Sequence, residues 1–209
     1  MTQAEAGVLT RKLYRTIRVP LGVAEQQLWS TCDHSVQPAN LAMYAQSIAS
    51  GRPIEGRTLS SSKLDAVVEY VSELPGQAVI LTHFTESLKY LAAKLPQAEL
   101  IYGSDGGTQS RMAIMHRFQT GKTRIIIANI ATVKVGINLS AASAIIFAEN
   151  SFSGEARIQA EERATVSGKE AVEIVDFVSV GEGMAGAIDE KVLQCVRAKK
   201  DFNSSMLRR

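Results

Sequence analysis

A Gly-Lys-Thr triplet at residues 121–123 is the first feature of the sequence that suggests chemistry. Such a triplet ends the loop that holds nucleotide phosphates, but that loop also needs a glycine five positions earlier, where this chain has His116. The loop follows a strand and opens a helix, whereas this triplet follows a helical segment and precedes an apolar strand. We therefore interpret Gly121 as a helix C-cap and Lys122 as a favourable charge at the helix end.

Other catalytic patterns are weak. Asp176 ends the apolar run EIVD without a second acidic residue, so it is interpreted as a strand residue and not as a magnesium ligand. The run Cys32-Asp33-His34 has no second ligand pair nearby, which argues against a zinc site. The chain has two cysteines, Cys32 and Cys195, which are far apart in the sequence, and we expect both to be reduced thiols. The sequence has no Gly-x-Ser-x-Gly and no dinucleotide glycine pattern, so a small-molecule α/β enzyme has little support.

The composition is that of a globular protein with no membrane segment. Of its 209 residues, 45% are hydrophobic and 21% charged, and no apolar run approaches the roughly 20 residues that span a bilayer. The net charge of +2 does not by itself indicate nucleic-acid binding. Basic residues nevertheless cluster near both ends, as solvated faces or as phosphate-binding surfaces: Arg11, Lys12, Arg15 and Arg18, then Arg197, Lys199, Lys200, Arg208 and Arg209.

The elements that must position any site alternate between strand and helix. A strand-like run from Tyr14 to Leu21 and a helical stretch over 23–49 form an N-terminal extension, residues 1–59, that ends in a Gly-, Pro- and Ser-rich loop. Residues 60–209 then alternate, which predicts an α/β domain with a parallel sheet covered by helices on both faces. The predicted strands are AVILT, ELIY, RIIIAN, AIIFAE and AVEIVDFV.

The predicted helices carry their own signals. Ser60 to Ser62 can cap the first helix, and Met112, Met115 and Phe118 fall on one side of a helix over 108–119, as core residues would. The last helix is predicted from Ala187 to about residue 202.

Five segments, in order, resemble a known domain: AVILTHFTESLKYLAAKL, YGSDGGTQSRMAIMHRFQTGKTRIIIAN, ATVKVGINLSAASAIIFAE, ENSFSGEARIQAEERATVSGK and AIDEKVLQCVRAKKDF. They are similar to motif IV, the block after it, motif V, motif VI and the closing helix of the second RecA-like domain of superfamily 2 helicases, specifically Swi/Snf-type DNA translocases. The resemblance covers about residues 60 to 203. Glu149 stands where the family has Asp.

The resemblance implies a motor that binds ATP with Mg²⁺ between two RecA-like domains. The first domain supplies the phosphate loop, the metal ligands and a catalytic Glu, and the second supplies arginines across the cleft. This chain has the second half, so we expect no ATPase activity from it alone; it is either an excised domain or a split subunit. The implied partners are an N-terminal RecA-like domain and DNA, and the implied location is cytoplasmic, in the nucleoid or, for a viral protein, the host cytoplasm.

The resemblance places the ATP contacts in motifs V and VI. Arg163 is the implied catalytic residue and phosphate contact, with Gln159 positioning its loop and with Gly136 and Asn138 contributing from motif V. Without the motif context, the preferred interpretation of Arg163 is a surface arginine that pairs with Glu161 or Glu162, and Asn138 is also interpretable as a cap or turn residue. No metal ligand is expected in this half.

Val166 departs from the family, which has a second arginine at this position. Losing an arginine finger costs on the order of 10³-fold in rate, so Arg157 or another residue substitutes, or hydrolysis is impaired, or the change is deliberate. If hydrolysis is impaired, the chain is a helicase-like binding module for DNA or a protein partner.

The resemblance assigns DNA-backbone contacts to strand ends and helix starts. The implied residues are Thr82, His83, Arg111, Thr132 and Lys134. Lys134 lies in Val133-Lys134, which replaces a pair of glycines common in the family, and a lysine there is able to contact a phosphate directly. A lone histidine such as His83 is more often structural.

Overall fold

The computed structural model describes residues 10–31, 38–51, 61–103, 107–133, 137–165 and 169–200. Within these ranges six strands form one sheet in the order β1-β6-β5-β2-β4-β3, and every neighbouring pair is parallel. The strands are β1 Arg11–Pro20, β2 Ala78–Thr82, β3 Glu99–Ile101, β4 Ile125–Asn129, β5 Ala144–Phe147 and β6 Ala171–Val180. The predicted parallel α/β sheet is confirmed.

Seven helices in the described residues connect the strands: α1 Val23–Ser30, α2 Pro38–Ala49, α3 Ser62–Glu73, α4 Thr85–Lys94, α5 Gly107–Gln119, α6 Gly154–Glu162 and α7 Gly183–Arg197. Helix α7 begins a turn before the predicted Ala187. The first turn of α7 contains Gly186, where an added Cβ would lie 2.2 Å from the carbonyl oxygen of Gly181. In the sequence this glycine suggests a loop, but in the structure it lies inside the helix and allows two segments of backbone to pack closely. None of the described helices is long and apolar enough to cross a membrane.

The central strands are buried on both faces. Helices α5 and α6 pack on one face around Phe118 and Phe147, and α3 and α4 pack on the other around Leu64, Leu88 and Ile80. Such double coverage explains why these strands read as continuous apolar runs.

The methionines of α5 depart from the prediction. Met115 is partly buried against the core, but Met112 is 67% exposed, so it is not a core residue as the helical spacing predicted.

The N-terminal segment packs on the rest of the chain. Strand β1 pairs with β6 over ten residues, from Arg11 opposite Ala171 to Pro20 opposite Val180. The buried carboxylate of Glu25, in α1, accepts hydrogen bonds from the backbone N–H (3.0 Å) and the hydroxyl (3.1 Å) of Ser62 at the start of α3. The predicted boundary near residue 60 therefore lies between elements of one sheet.

Two predicted caps are confirmed. The hydroxyl of Ser61 accepts a hydrogen bond from the N–H of Leu64 at 3.1 Å, which caps α3. Gly121 adopts φ +75 directly after α5, and the N–H of Lys122 donates to the carbonyl of Arg117 at 2.9 Å. The Gly-Lys-Thr triplet is therefore the turn between α5 and β4.

Three tyrosines each donate their hydroxyl to a carboxylate. Tyr14 bonds Glu161 at 2.7 Å, Tyr70 bonds Glu173 at 2.9 Å, and Tyr90 bonds an oxygen of Asp65 at 2.7 Å. Burial first, and then the neighbouring carboxylate, raises the pKa of each of these phenols to about 12.

The raised pKa values of these three tyrosines lead us to expect a loss of stability at alkaline pH. Because their pKa rises from 10.0 in the unfolded chain to about 12 in the folded one, their stabilising contribution is complete below pH 10 and is lost as pH rises towards 12. Near-ultraviolet absorbance should show three tyrosines that ionise late in the folded protein, and all five together near pH 10 in denaturant. Tyr14→Phe should remove one late step; ionisation of all five near pH 10 in the folded protein would contradict this assignment.

Candidate functional site

The predicted site residues fall at two opposite edges of the sheet. Because all six described strands are parallel, the residues that follow β2, β4 and β5 lie together at the carboxyl edge. His83 and Thr132 belong there. Asn138 precedes β5 and therefore lies at the amino edge. Arg163, which follows α6, lies at the amino edge as well, because its carbonyl accepts a hydrogen bond from the N–H of Leu139 at 3.0 Å.

Glu149 organises the carboxyl edge. Its side chain is 1% exposed and accepts hydrogen bonds from the backbone N–H groups of His83 (2.8 Å) and Phe84 (2.9 Å) and from the hydroxyl of Ser87. These donors open helix α4, so the carboxylate acts as a cap delivered from the end of β5.

Asn129 is a second organising residue at this edge, and sequence reasoning missed it. Its amide nitrogen donates to the carbonyl of His83 at 3.0 Å, and its amide oxygen accepts from the N–H of Ala131 at 2.9 Å. The hydroxyl of Thr132 donates to the carbonyl of Asn129 at 2.6 Å. An asparagine that ends an apolar strand was the available signal.

The predicted nucleic-acid residues differ in accessibility. Thr82 is 0% exposed and its hydroxyl has no hydrogen-bond partner in the described structure, so its side chain does not reach the surface. His83 and Arg111 are half-buried, and a guanidinium nitrogen of Arg111 donates to the carbonyl of Gly103. The His83 ring lies 5.8 Å from the ring of Phe152, centroid to centroid.

Arg163, the predicted phosphate contact, is exposed to solvent at the amino edge of the sheet. Its guanidinium forms no hydrogen bond or ion pair with any described residue. The pairing with Glu161 that the sequence left open does not occur, because Glu161 bonds Arg157, Lys12 and Tyr14.

The two amides predicted beside Arg163 have local partners. Asn138 is exposed and accepts a hydrogen bond from the N–H of Ser140 at 2.9 Å, which closes a short turn. Gln159 donates to Glu155, one helical turn earlier, at 2.8 Å. Both amides thus have partners, while the guanidinium of Arg163 remains available to a ligand.

Lys169 and Gln119 fix the loop between β4 and β5, and the sequence did not single them out. The Lys169 ammonium donates to the carbonyls of Ser140 (3.0 Å), Ala142 and Ala164 (3.3 Å), and burial lowers the pKa of this lysine. The amide of Gln119 donates to the carbonyl of Asn138 at 2.8 Å.

Arg157 is buried and cannot substitute for the arginine missing at Val166. Only 2% of its side chain is exposed, and it bonds Asp176 (3.0 Å), Glu161 (2.6 Å) and Asn150 (2.8 Å). The guanidinium carbon also lies 3.7 Å from the ring centroid of Phe147. Burial would lower the pKa of Arg157, but the ion pairs with Asp176 and Glu161 outweigh it and raise the pKa.

Three predicted positions, Lys134, Gly136 and Val166, lie outside the described residues. Within the described part, no group of three or more His, Cys, Asp or Glu side chains is placed to hold a metal ion. A free guanidinium on a fixed helix end suits a phosphate group. The guanidinium of Arg163 at the amino edge therefore fits the phosphates of a nucleotide.

Comparison with known proteins agrees with the resemblance. A family model described as the helicase conserved C-terminal domain matches residues 62–167, about half of the chain. A curated relative, the SWI/SNF-related matrix-associated actin-dependent regulator of chromatin subfamily A-like protein 1 of Xenopus tropicalis, is 28% identical over 112 residues. That match covers 50% of this chain but 12% of the relative.

Two solved structures share the fold. The C-terminal part of the Fun30 ATPase domain superposes with a TM-score of 0.73 at 16% identity and covers 95% of this chain and 92% of that one. The C-terminal domain of the Sulfolobus solfataricus SWI2/SNF2 ATPase gives 0.65 at 17% identity, over 93% and 89%. The predicted RecA-like fold and Swi/Snf-type resemblance are confirmed.

The buried ion pair between Arg157 and Asp176 yields a stability prediction. Arg157→Met leaves Asp176 without a full set of donors, so the free energy of unfolding should fall by about 3–5 kcal/mol in urea denaturation. The double variant with Asp176→Leu should lose less than the sum of the two single losses.

Lys94→Ala is the matched control, because its ion pair with Asp65 spans 3.7 Å between half-exposed side chains and should contribute about 0–1 kcal/mol. Equal effects of Arg157→Met and Lys94→Ala would contradict the structural role of Arg157.

Proposed function

The chain belongs to the helicase conserved C-terminal domain family, and on that premise we propose that it is the second motor domain of an ATP-dependent Swi/Snf-type DNA translocase. In this proposal the chain contributes contacts to ATP phosphates from its amino edge and contacts to DNA from its carboxyl edge. An N-terminal RecA-like domain, in the same or another polypeptide, supplies the phosphate loop and the ligands for Mg²⁺.

The observation that carries the proposal is the free guanidinium of Arg163. The guanidinium of Arg163 has no hydrogen bond or ion pair with any described residue, and Glu161, two residues away, is already bonded to three other side chains. Arg163 therefore keeps its donors for an anion, and an arginine presents them in a fork that matches phosphate oxygens. ATP supplies the transferable phosphoryl group, and Arg163 would stabilise the charge that develops on it.

The hydrogen bonds that hold the backbone around Arg163 in place support this role. Helix α6 is held by the buried Arg157, and its C-terminal end is tied to the motif V loop by the bond from Leu139 to the Arg163 carbonyl. The three carbonyls bonded by Lys169 keep that loop and the helix end together. Catalytic contacts depend on such positioning, because a misplacement of about 1 Å costs on the order of 10²-fold in rate.

The DNA contacts are proposed from the carboxyl edge. His83, Arg111 and Thr132 have polar groups at accessible or half-buried positions there, and Glu149 and Asn129 hold the backbone around them. Since Thr82 is fully buried, the proposal for direct contact rests on the other residues and on Lys134. Backbone contacts of this kind are sensitive to salt and largely indifferent to base sequence.

Replacing Arg163 tests the proposal directly. In a two-domain protein that joins a matched N-terminal RecA-like domain to this chain, Arg163→Ala should lower DNA-stimulated ATP hydrolysis by about 10³-fold, measured as phosphate release. The single chain should show no ATPase. Lys122→Ala, in the Gly-Lys-Thr turn, is the matched control and should leave the rate unchanged. Loss of activity with Lys122→Ala but not with Arg163→Ala would refute the assignment.

A second candidate, a binding module without hydrolysis, is favoured by Val166, since valine supplies no positive charge to a γ-phosphate. In the same two-domain protein, Val166→Arg should raise ATP hydrolysis by about 10³-fold if the site is degenerate. An unchanged rate, together with robust activity of the natural sequence, would favour the motor and exclude the module.

A further inference from the structure

Basic residues from both ends of the chain, Lys12 and Arg18 on β1 and Arg197 on α7, lie on one surface of the described fold. A guanidinium nitrogen of Arg197, at the end of α7, donates to the hydroxyl of Thr16 on β1 at 2.9 Å, and the guanidinium lies 5.8 Å from the ring of Tyr14. Arg18 on β1 bonds Glu190 on α7 at 3.2 Å. We call this surface, formed by β1 and α7, the β1–α7 surface.

Charges on this surface do not cancel. Six cationic side chains in the contact network meet three carboxylates: Lys12, Arg18, Arg157, Arg197, Lys199 and Lys200 against Glu161, Asp176 and Glu190. Asp176 serves both Arg157 and Arg197, so one carboxylate neutralises only one of two guanidinium groups. The ammonium groups of Lys199 and Lys200 are exposed and have no ion-pair partner among the described residues. The net charge of this set is therefore +3: Lys199 and Lys200, just after α7, carry two of these charges, and the third is shared by Lys12, Arg157 and Arg197.

A cleft opens beside these charges. Its volume is about 360 Å³, and it is lined by Tyr14, Ile158, Val196, Arg197 and Lys199, together with the buried pair Arg157 and Glu161. The apolar wall of Ile158, Val196 and the Tyr14 ring suits a pentose ring, and the cations at the rim suit a phosphate. A sugar–phosphate unit therefore matches the chemistry of the cleft.

The basic character continues along the strand. Lys12 and Arg18 lie on the face of β1 that meets α6 and α7, where they bond Glu161 and Glu190, and at about 3.3 Å per residue they are roughly 20 Å apart. Arg15 lies on the other face, beside Glu173 and Tyr70. An anion that meets cations over this length carries evenly spaced charges, as a nucleic-acid backbone does. An acidic peptide would need a matching run of carboxylates.

We infer that the β1–α7 surface is a second nucleic-acid contact, which binds the phosphate backbone of duplex DNA with Arg197 and Lys199 at the cleft and with Lys200, the next residue along the chain. It lies on the first strand of the sheet and on α7, separate from the carboxyl-edge residues His83, Arg111 and Thr132. The inference rests on the proposed function for duplex DNA as the nucleic acid. It predicts that the chain contacts DNA at two places.

The test measures binding of the intact 209-residue chain to a short fluorescein-labelled DNA duplex by anisotropy at several salt concentrations. Lys199→Gln with Lys200→Gln should weaken binding and flatten the slope of log K against log salt by about 2, since each phosphate contact contributes about 0.9. The matched control is Lys89→Gln with Lys122→Gln, which removes the same charge from exposed lysines elsewhere and should leave the slope unchanged. All four lysines are exposed, and circular dichroism checks that the variants fold.

Several results would overturn the inference. They are equal weakening by both double variants, an unchanged slope with Lys199→Gln and Lys200→Gln, or no measurable binding by the unchanged chain at low salt. If the double variant self-associates without altering DNA binding, the cations guard the free edge of β1 against strand pairing. If labelled polyglutamate binds instead and DNA does not, the cleft belongs to an acidic segment.

Arg111→Gln separates this inference from the proposed function. If Arg111→Gln flattens the slope and the lysine pair does not, the carboxyl-edge contact stands and the β1–α7 surface fails. If only the lysine pair flattens it, the β1–α7 surface stands and the DNA contact assigned to Arg111 in the proposed function fails.

Discussion

The buried pair of Arg157 and Asp176 is the interaction on which the candidate site depends. Charges without solvent are unfavourable unless every donor and acceptor is matched, and here Arg157 is surrounded by Asp176, Glu161, Asn150 and the face of Phe147. These partners lie on β6, on α6 itself and at the end of β5. The pair therefore fixes α6 against two adjacent strands.

Helix α6 connects the two edges of the sheet. Its nine residues, Gly154–Glu162, extend about 13 Å between the N-cap Ser153, at the carboxyl edge, and the C-cap Arg163, at the amino edge. Asn150 links the Glu149 cap to the buried ion pair, because it follows Glu149 directly in the sequence and accepts a hydrogen bond from Arg157. His83, a proposed DNA contact that bonds Glu149, and Arg163, the proposed ATP contact, thus lie near the two ends of one helix.

Much of this arrangement is local and was readable from the sequence. Apolar runs such as AVILT predicted strands buried on both faces, and Ser61 and Gly121 marked helix ends because a hydroxyl cap and a positive φ are short-range properties. The failures concern packing, which residue spacing does not report. Met112 shares the helical spacing of Phe118 but is 67% exposed, and the start of α7 was misplaced because Gly186 packs on the backbone of Gly181.

By itself the sequence determined the order of strands and helices, the parallel sheet, the absence of a phosphate loop at Gly121-Lys122-Thr123, and the resemblance that singled out Arg163. Spacing along the chain encodes these features, because each depends on neighbours a few residues apart. Only the tertiary structure decided that Arg157 is a buried anchor, that Arg163 has no partner among the described residues, that Thr82 is inside, and that Lys12, Arg18 and Arg197 share one surface. Those outcomes depend on which side chains the folded strands and helices bring together, from Arg157 and Asp176, 19 residues apart, to Thr16 and Arg197, 181 residues apart. No pattern in the sequence around either residue records that proximity.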